Sequence, residues 1–366
     1  MRLKHDIVLG TRDSALALWQ AHQVQAWLQA RATACAEPFT VRLSTTKTLG
    51  DKILDRPFHA FEPDIMARAG GMTGGVFVKE LEQYLLTNVE AARITLAVHS
   101  MKDVPSKLVA GTFLMPFGTR EDVRDVWVFP KNTPPQAVLS ASEGQVLSAL
   151  PRGTRVGSSG LRRVAQVLSR RSDVSCVPIR GNLQTRLQKL DAGEADVLLL
   201  AMAGLKRLGL YPSEARLIIP ACPVEELVPA PAQGMLALQG RSGEREALYD
   251  LFEGACDAQT FTQIWIERTL LELIEGGCQT PLGVYVTACP RDEAVSNVLS
   301  WRVRVFYAAP LVTGETLDAY RTAKQPRYIE DTLQLPCVTD TMPWQVRFAL
   351  LEEHRQRLAH WVSRAI

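Results

Sequence analysis

Short apolar, β-rich runs, each followed by a polar or glycine turn and then a 3.6-residue apolar repeat, recur along the chain. "DIVLG" passes through "TRDS" into "ALALWQAHQVQAWLQAR". There Leu16, Trp19, His22 and residues 24–28 suggest an amphipathic helix, with Asp13 or Ser14 as its cap. "ITLAVHS" ends in the turn "MKDVPS"; "TRVGSSG" opens onto "LRRVAQVLSRR", "SCVPIRGN" onto "LQTRLQKLDAG" and "ADVLLLA" onto "MAGLKRLGL". Strands alternating with helices predict parallel α/β sheets. The segments "GTREDVRD" (118–125) and "VPAPAQG" (228–234) read as crossings between units. After about Cys256 the pattern changes to one helical stretch, a strand in "WRVRVFYAAPLV" that enters a hairpin, and a helical tail. The expectation is two α/β domains, 1–120 with 229–252 and 121–228, and a smaller α+β domain, 253–366. Residues 55–75 hold few core positions and several breakers, which predicts a long loop.

Composition narrows the class. The 366 residues carry 41 Lys and Arg against 39 Asp and Glu, a formal charge of +2, too balanced for bulk binding to nucleic acid or an anionic membrane. Any electrostatic function must be local. Seven cysteines are scattered without a CxxC pair, so neither a disulfide framework nor a zinc site is favoured, and the histidines show no metal-ligand spacing. "MRLKHDIVLGTRDS" has no apolar run of signal-peptide length, and "VLLLAMAGL" is too short to span a bilayer. A cytoplasmic protein is expected, without metal, membrane or nucleic-acid partners.

In open α/β sheets ligands sit beyond the carboxyl ends of the strands, where helix N-termini present free N–H groups. Those positions carry Arg12 and Ser14, Lys102 and Asp103, Ser158 and Ser159 with Arg162 and Arg163, then Arg180, Arg186, Lys206 and Arg207. Each arginine alone is better explained by a solvated helix face, and Asp103 is as well explained by a turn cap. Together they form a cationic rim with one prominent acid, suited to a ligand bearing several carboxylates or phosphates. Arg162 and Arg163 are adjacent, so only one of them need face a ligand. "SSG" lacks the glycine patterns of nucleotide-binding loops.

Cys278, in "EGGCQTPLG", follows two glycines and precedes a proline. A lone cysteine is more often a small buried hydrophobe. The permissive backbone makes this one a candidate for covalent chemistry.

These segments resemble, in order, those of the porphobilinogen deaminase (hydroxymethylbilane synthase) family. "LGTRDSALALWQA", "TTKTLGDKILD", "FVKELEQYLL", "LAVHSMKDVPS", "TREDVRDVWV", "IRGNLQTRLQKLDAGEADVLLLAMAGLKRLGL" and "ERTLLELIEGGCQTPLG" carry the likeness. It implies two lobes like type II periplasmic binding proteins with a cleft between them, plus the third domain. It further implies a dipyrromethane cofactor held by a thioether at Cys278. Four porphobilinogen units would be added to this primer with loss of ammonia, releasing 1-hydroxymethylbilane. Asp103 takes the catalytic role of stabilising the cationic azafulvene and shuttling protons. Arg12, Ser14, Lys102, Ser158, Arg162 and Arg163 are assigned to the cofactor. Arg12, Arg180 and Arg186, with Lys79 and Arg207, are assigned to substrate carboxylates, and Asp55 to the cleft lid. A monomer is expected.

Some positions depart from the family pattern. "GGMTGG" lacks a lysine aligned to about Gly74, "SSGLRR" has Gly160 for a hydroxyl, "AQG" has Ala232 for a glycine at the hinge, and "QGR" replaces "ECR". They leave open a second reading, a family-derived binding protein for a dipyrrole or polycarboxylate with slow or no turnover.

Overall fold

A computed structural model describes residues 6–34, 39–47, 78–131, 133, 144–222, 226–274, 280–289, 298–311, 315–317, 319–322, 326–336 and 338–365. Cys278, Asp55, Gly74 and the 55–75 segment lie outside the described residues.

The first lobe opens with β1 (Asp6–Arg12), α1 (Ala15–Ala34) and β2 (Thr40–Thr46). Ser14 is the cap of α1: its Oγ accepts from the Ala17 amide at 3.4 Å. α2 (Lys79–Leu86), β3 (Leu96–Ser100) and β4 (Thr112–Phe117) follow. β1 pairs in parallel with β2, from Asp6 opposite Thr40 to Arg12 opposite Thr46, and in parallel with β3. The chain then crosses to the second lobe, built from β5 (Asp125–Lys131), α3 (Val146–Ala149), β6 (Arg155–Gly157), α4 (Leu161–Arg170), β7 (Ser175–Val177), α5 (Leu183–Asp191), β8 (Val197–Ala201), α6 (Met202–Arg207) and β9 (Arg216–Pro220). It returns to place β10 (Leu236–Arg241) between β3 and β4.

The two five-stranded sheets share one topology, β2-β1-β3-β10-β4 and β7-β6-β8-β5-β9. They are mixed rather than parallel, which corrects the expectation from strand–helix alternation. β10 runs antiparallel to both its neighbours, and so does β5. The physical reason is that each of these strands is the one entered directly from a crossing, without an intervening helix to reverse the chain. The duplicated order is the periplasmic-binding-protein-like α/β architecture expected for the two lobes.

α7 (Arg245–Leu251) leads to α8 (Ala258–Leu273), whose first turn is capped by Asp257, its side chain accepting from the Thr260 amide. β11 (Leu282–Ala288), β12 (Val298–Tyr307) and β13 (Arg327–Pro336) form an antiparallel three-stranded sheet, with α9 (Ala319–Thr322), α10 (Trp344–Glu352) and α11 (Arg355–Ala365) around it. The β12–β13 hairpin is the one expected from "WRVRVFYAAPLV". One apolar cluster runs from the first lobe (Leu9, Val98, Leu238) into this unit (Ile266, Val303, Trp344). A second joins α4 of the other lobe to Phe306 and Tyr320. The third unit is thus packed against both lobes.

The two crossings touch each other. The Glu121 amide donates to the Gly234 carbonyl at 3.1 Å and Arg120 Nε to the Gln233 carbonyl at 3.0 Å. Gly234 has φ +88, and a Cβ there would strike the Glu121 carbonyl oxygen, so only glycine lets the two segments lie this close. Glu267, fully buried on α8, holds both. Its carboxylate takes a bidentate bond from Arg120 at 3.0 and 2.7 Å, accepts from the Ala232 amide at 2.6 Å, and accepts from the Val286 amide of β11 at 3.3 Å.

Candidate active site

Between the lobes lies a cavity of about 680 Å³. Its wall is built where strands end and helices begin, because both sheets point their carboxyl ends at it. Arg12, Ser14, Lys102, Asp103, Arg163, Arg180, Arg186 and Arg207 all line it, so eight of the residues singled out in the sequence converge there. Lys47 and Asp13 also line it; they form an exposed pair at 3.7 Å and were not expected. Among the described residues, seven cations therefore face two carboxylates.

Asp103 closes a single 3₁₀ turn, Met101–Asp103, directly after β3. That turn is fixed from beneath: Met101 N–H donates to the Met235 carbonyl at 3.0 Å, and Gln20 Nε2 donates to Ser100 Oγ at 2.7 Å. Asp103 itself is half-buried, and among the described residues no hydrogen bond or ion pair ties its carboxylate. A second cavity of about 180 Å³ shares Lys102, Asp103, Gly160, Arg163 and Gln233 with the first. Its remaining walls include Leu271 at the end of α8, Thr280 and Leu282. Asp103 stands where the two cavities meet.

The cations are crowded. Burial lowers Lys102 to about 8, with Asp103 opposing and Arg163 adding to the fall. Burial, then Arg163, brings Arg186 down to about 10, again against Asp103. Burial likewise takes Arg207 to about 10, with Glu121 opposing. Arg207 also donates to the Gly234 carbonyl at 2.6 Å and lies over the Trp19 ring. Positive groups held partly out of water at each other's expense mark a site that gains from an anionic ligand.

From the sequence, only one of the Arg162–Arg163 pair need face a ligand. Both reach Asp125, a fully buried carboxylate at the start of β5: Arg162 Nη1 to Oδ2 at 2.7 Å and Arg163 Nη2 to Oδ1 at 2.7 Å. Burial alone would push Asp125 up, but the two guanidiniums hold its carboxyl well below the usual range. Arg163 still lines both cavities, whereas Arg162 lines only the small one and also donates to the Val228 carbonyl at 2.6 Å.

Ser158 is buried beneath the wall, its Oγ accepting from the Gly160 amide, and is absent from the lining of both cavities. Ser159 lines the large one and donates to the Ile179 carbonyl at 3.0 Å. Gly160 caps α4 without a side-chain bond, at φ −88, and a Cβ there would meet open space. Lys79 begins α2 and lines neither cavity. Lys206 turns away to Glu121 and Asp122 at 3.1 and 3.4 Å. Sequence reasoning missed Asp125, Gln233 and Lys47; for the first two the only signal was position beside a crossing.

A two-lobed α/β protein whose cleft, among the described residues, sets seven cations around an untethered carboxylate can hold a polyanionic ligand. Residues 7–249 match the family model described as "Porphobilinogen deaminase, dipyromethane cofactor binding domain". The porphobilinogen deaminase of Syntrophotalea carbinolica is 41% identical over 292 residues, 80% of this chain and 82% of its own. That of Nitrobacter hamburgensis is 42% identical over 275 residues, 75% of this chain and 77% of its own. The chain belongs to the porphobilinogen deaminase family. Among solved structures, the Bordetella pertussis BvgS periplasmic VFT2 domain aligns with 71% of this chain and 92% of its own, at 13% identity and a TM-score of 0.39.

Proposed function

We propose that the cleft carries out the porphobilinogen deaminase reaction, a transfer that condenses four porphobilinogen units head to tail onto a dipyrromethane primer. Ammonia is lost at each step, and hydrolysis of the bond to the primer then releases 1-hydroxymethylbilane and leaves the dipyrromethane in place. The observation that carries this is the placement of Asp103, untethered, at the junction of the two cavities and ringed by cations.

The residues fit the cofactor. A dipyrromethane brings carboxylates and pyrrole N–H groups, and the small cavity offers Lys102, Arg162 and Arg163 for the former and Asp103 for the latter. Its wall at Leu271 and Thr280 flanks residues 275–279, which supports Cys278 as the point of thioether attachment. When bound, the cofactor supplies the nucleophilic pyrrole end onto which substrate is joined. Arg12, Ser14, Arg180, Arg186 and Arg207 hold acetate and propionate groups of cofactor, substrate and growing chain through charge-assisted bonds. In this division of labour Lys79 and Ser158 act from outside the lining. The Asp103 carboxylate accepts a hydrogen bond from a pyrrole N–H, stabilises the positive charge that grows as ammonia leaves porphobilinogen, and takes up the proton given off after the new bond forms.

The reading divides the chain into domains 1–120 with 229–252, 121–228 and 253–366, acting as a monomer in the cytoplasm. No described helix is long and apolar enough to cross a membrane.

Intact-protein mass tests the proposal. Protein from a host with ample porphobilinogen should weigh two pyrrole units more than its sequence, gain mass stepwise with substrate, and lose the adduct in Cys278→Ser. Asp103→Ala should fold and keep the primer but elongate it about 10²- to 10⁴-fold more slowly. Unchanged turnover in that variant refutes the role given to the acid.

A further inference from the structure

Gln233 is completely buried on the second crossing, yet it faces both cavities. Every polar atom it has is engaged. Its amide donates to the Ala230 carbonyl at 3.0 Å and its carbonyl accepts from Arg120 Nε at 3.0 Å. Its side-chain Nε2 donates to the Val123 carbonyl at 2.7 Å and to Asp125 Oδ1 at 3.0 Å. Two acceptors use both hydrogens of that nitrogen, which fixes the orientation of the amide. Oε1 must then face Lys102 Nζ, and it does so at 3.1 Å.

The arrangement solves an electrostatic problem. Asp125 is a fully buried carboxylate near the cleft, and Lys102 is a half-buried ammonium on the opposite lobe, attracted to it. In direct contact they would form one more buried ion pair, and the lysine would be lost to the cleft. A carboxamide is the side chain that donates to a carboxylate on one side and accepts from an ammonium on the other. An ammonium has three N–H donors, so one bond to Gln233 leaves two for a ligand.

We propose that Gln233 is a positioning residue for the polymerisation reaction: its carboxamide spaces Lys102 from Asp125 and keeps the lysine's ammonium in the cleft, beside Asp103, for ligand carboxylates. This rests on the reaction read above. Among the described residues, the charged groups that act most strongly on Lys102 are Asp103 on its own turn, Asp125 on β5, and Arg162 and Arg163 on α4. None of them replaces the amide oxygen, because Asp103 is drawn into the chemistry and the two arginines already hold Asp125.

Competitive labelling of lysines with isotopic acetic anhydride across a pH series, read by peptide mass spectrometry on the intact holoprotein, gives the midpoint of Lys102 directly. The parent holoprotein sets the reference midpoint. Gln233→Glu sets a carboxylate against the ammonium and should raise the midpoint by about 1 to 3 pH units. Gln233→Met, similar in volume but without the acceptor, should lower it. Both variants should raise KM for porphobilinogen by roughly tenfold with kcat largely kept, since Asp103 is untouched. A Lys102 midpoint that stays put in both overturns the assignment, and either variant alone suffices if the other does not fold. Absence of turnover in the parent sinks the reading of the reaction, while the labelling midpoints still decide the role of Gln233.

Discussion

Glu267→Gln should be among the most damaging isosteric changes in this protein. The carboxylate is fully buried and accepts four hydrogen bonds, two from Arg120 and one each from the Ala232 and Val286 amides. Oε1 serves Arg120 Nη1 and Val286; Oε2 serves Arg120 Nη2 and Ala232. Whichever oxygen becomes an NH₂ group, a donor is pressed against two donors, and Arg120, whose side chain is 7% exposed, loses its counter-charge. Breaking one partner of a buried pair costs about 3–5 kcal/mol, a large part of the roughly 5–15 kcal/mol by which folded domains are stable. Urea unfolding followed by circular dichroism and tryptophan fluorescence should show that loss. Separate transitions by the two probes would mean that the units no longer unfold together. The variant Arg120→Met should be similarly damaging, and the double change Arg120→Met with Glu267→Met clearly less so than the sum, with a coupling of about 2–3 kcal/mol. A loss below about 1 kcal/mol for Glu267→Gln, or simple additivity in the double variant, would refute the view that this carboxylate fastens both crossings to the third unit.

Ala232 sits at φ +59, where a Cβ is strained, so Ala232→Gly should stabilise the folded chain by about 1 kcal/mol; a lower urea midpoint would contradict this. The buried imidazole of His99 gives a pH signature. Gln239 Nε2 is spent on Glu82 at 2.9 Å and Thr112 at 3.0 Å, so its Oε1 accepts from His99 Nε2 at 3.2 Å, and burial holds this histidine at about 4. The folded state thus resists the proton that the unfolded chain takes up near pH 6.5. Its contribution is complete above that pH and is lost as pH falls towards 4, by about 3 kcal/mol. Urea midpoints between pH 7 and 4.5 should fall more steeply for the parent than for His99→Gln; parallel slopes would exclude the assignment.

Much of the cleft was legible because its chemistry is local to strand ends. Arg12, Lys102, Asp103, Arg163, Arg180, Arg186 and Arg207 each follow an apolar run by one or a few residues, and α/β geometry alone carries them to one rim. Single-residue precision was not available from pattern. Ser158 and Ser159 differ by one position, and only the backbone twist at the end of β6 decides which one reaches the cavity. The shared carboxylate beneath Arg162 and Arg163 was illegible for a different reason. Asp125 lies 38 positions from Arg163 and becomes its neighbour only when β5 is laid beside β8. Gln233 and Glu267 are likewise defined by contacts far apart in sequence, and no periodicity reports them. The mixed direction of the sheets went unread because alternation of strands and helices does not reveal a strand entered straight from a crossing.

β10 also has a meaning for the order in which the chain takes shape. All five strands of the second sheet are contiguous, and the last ends at Pro220, so this sheet has all its strands as soon as that residue has left the ribosome. The first sheet, although synthesised earlier, lacks the strand that separates β3 from β4 until Arg241 has emerged. During synthesis the N-terminal half therefore waits, with two unpaired strand edges, for a piece made after its neighbour has folded. A nascent chain stalled before residue 236 exposes those edges to aggregation and to chaperones.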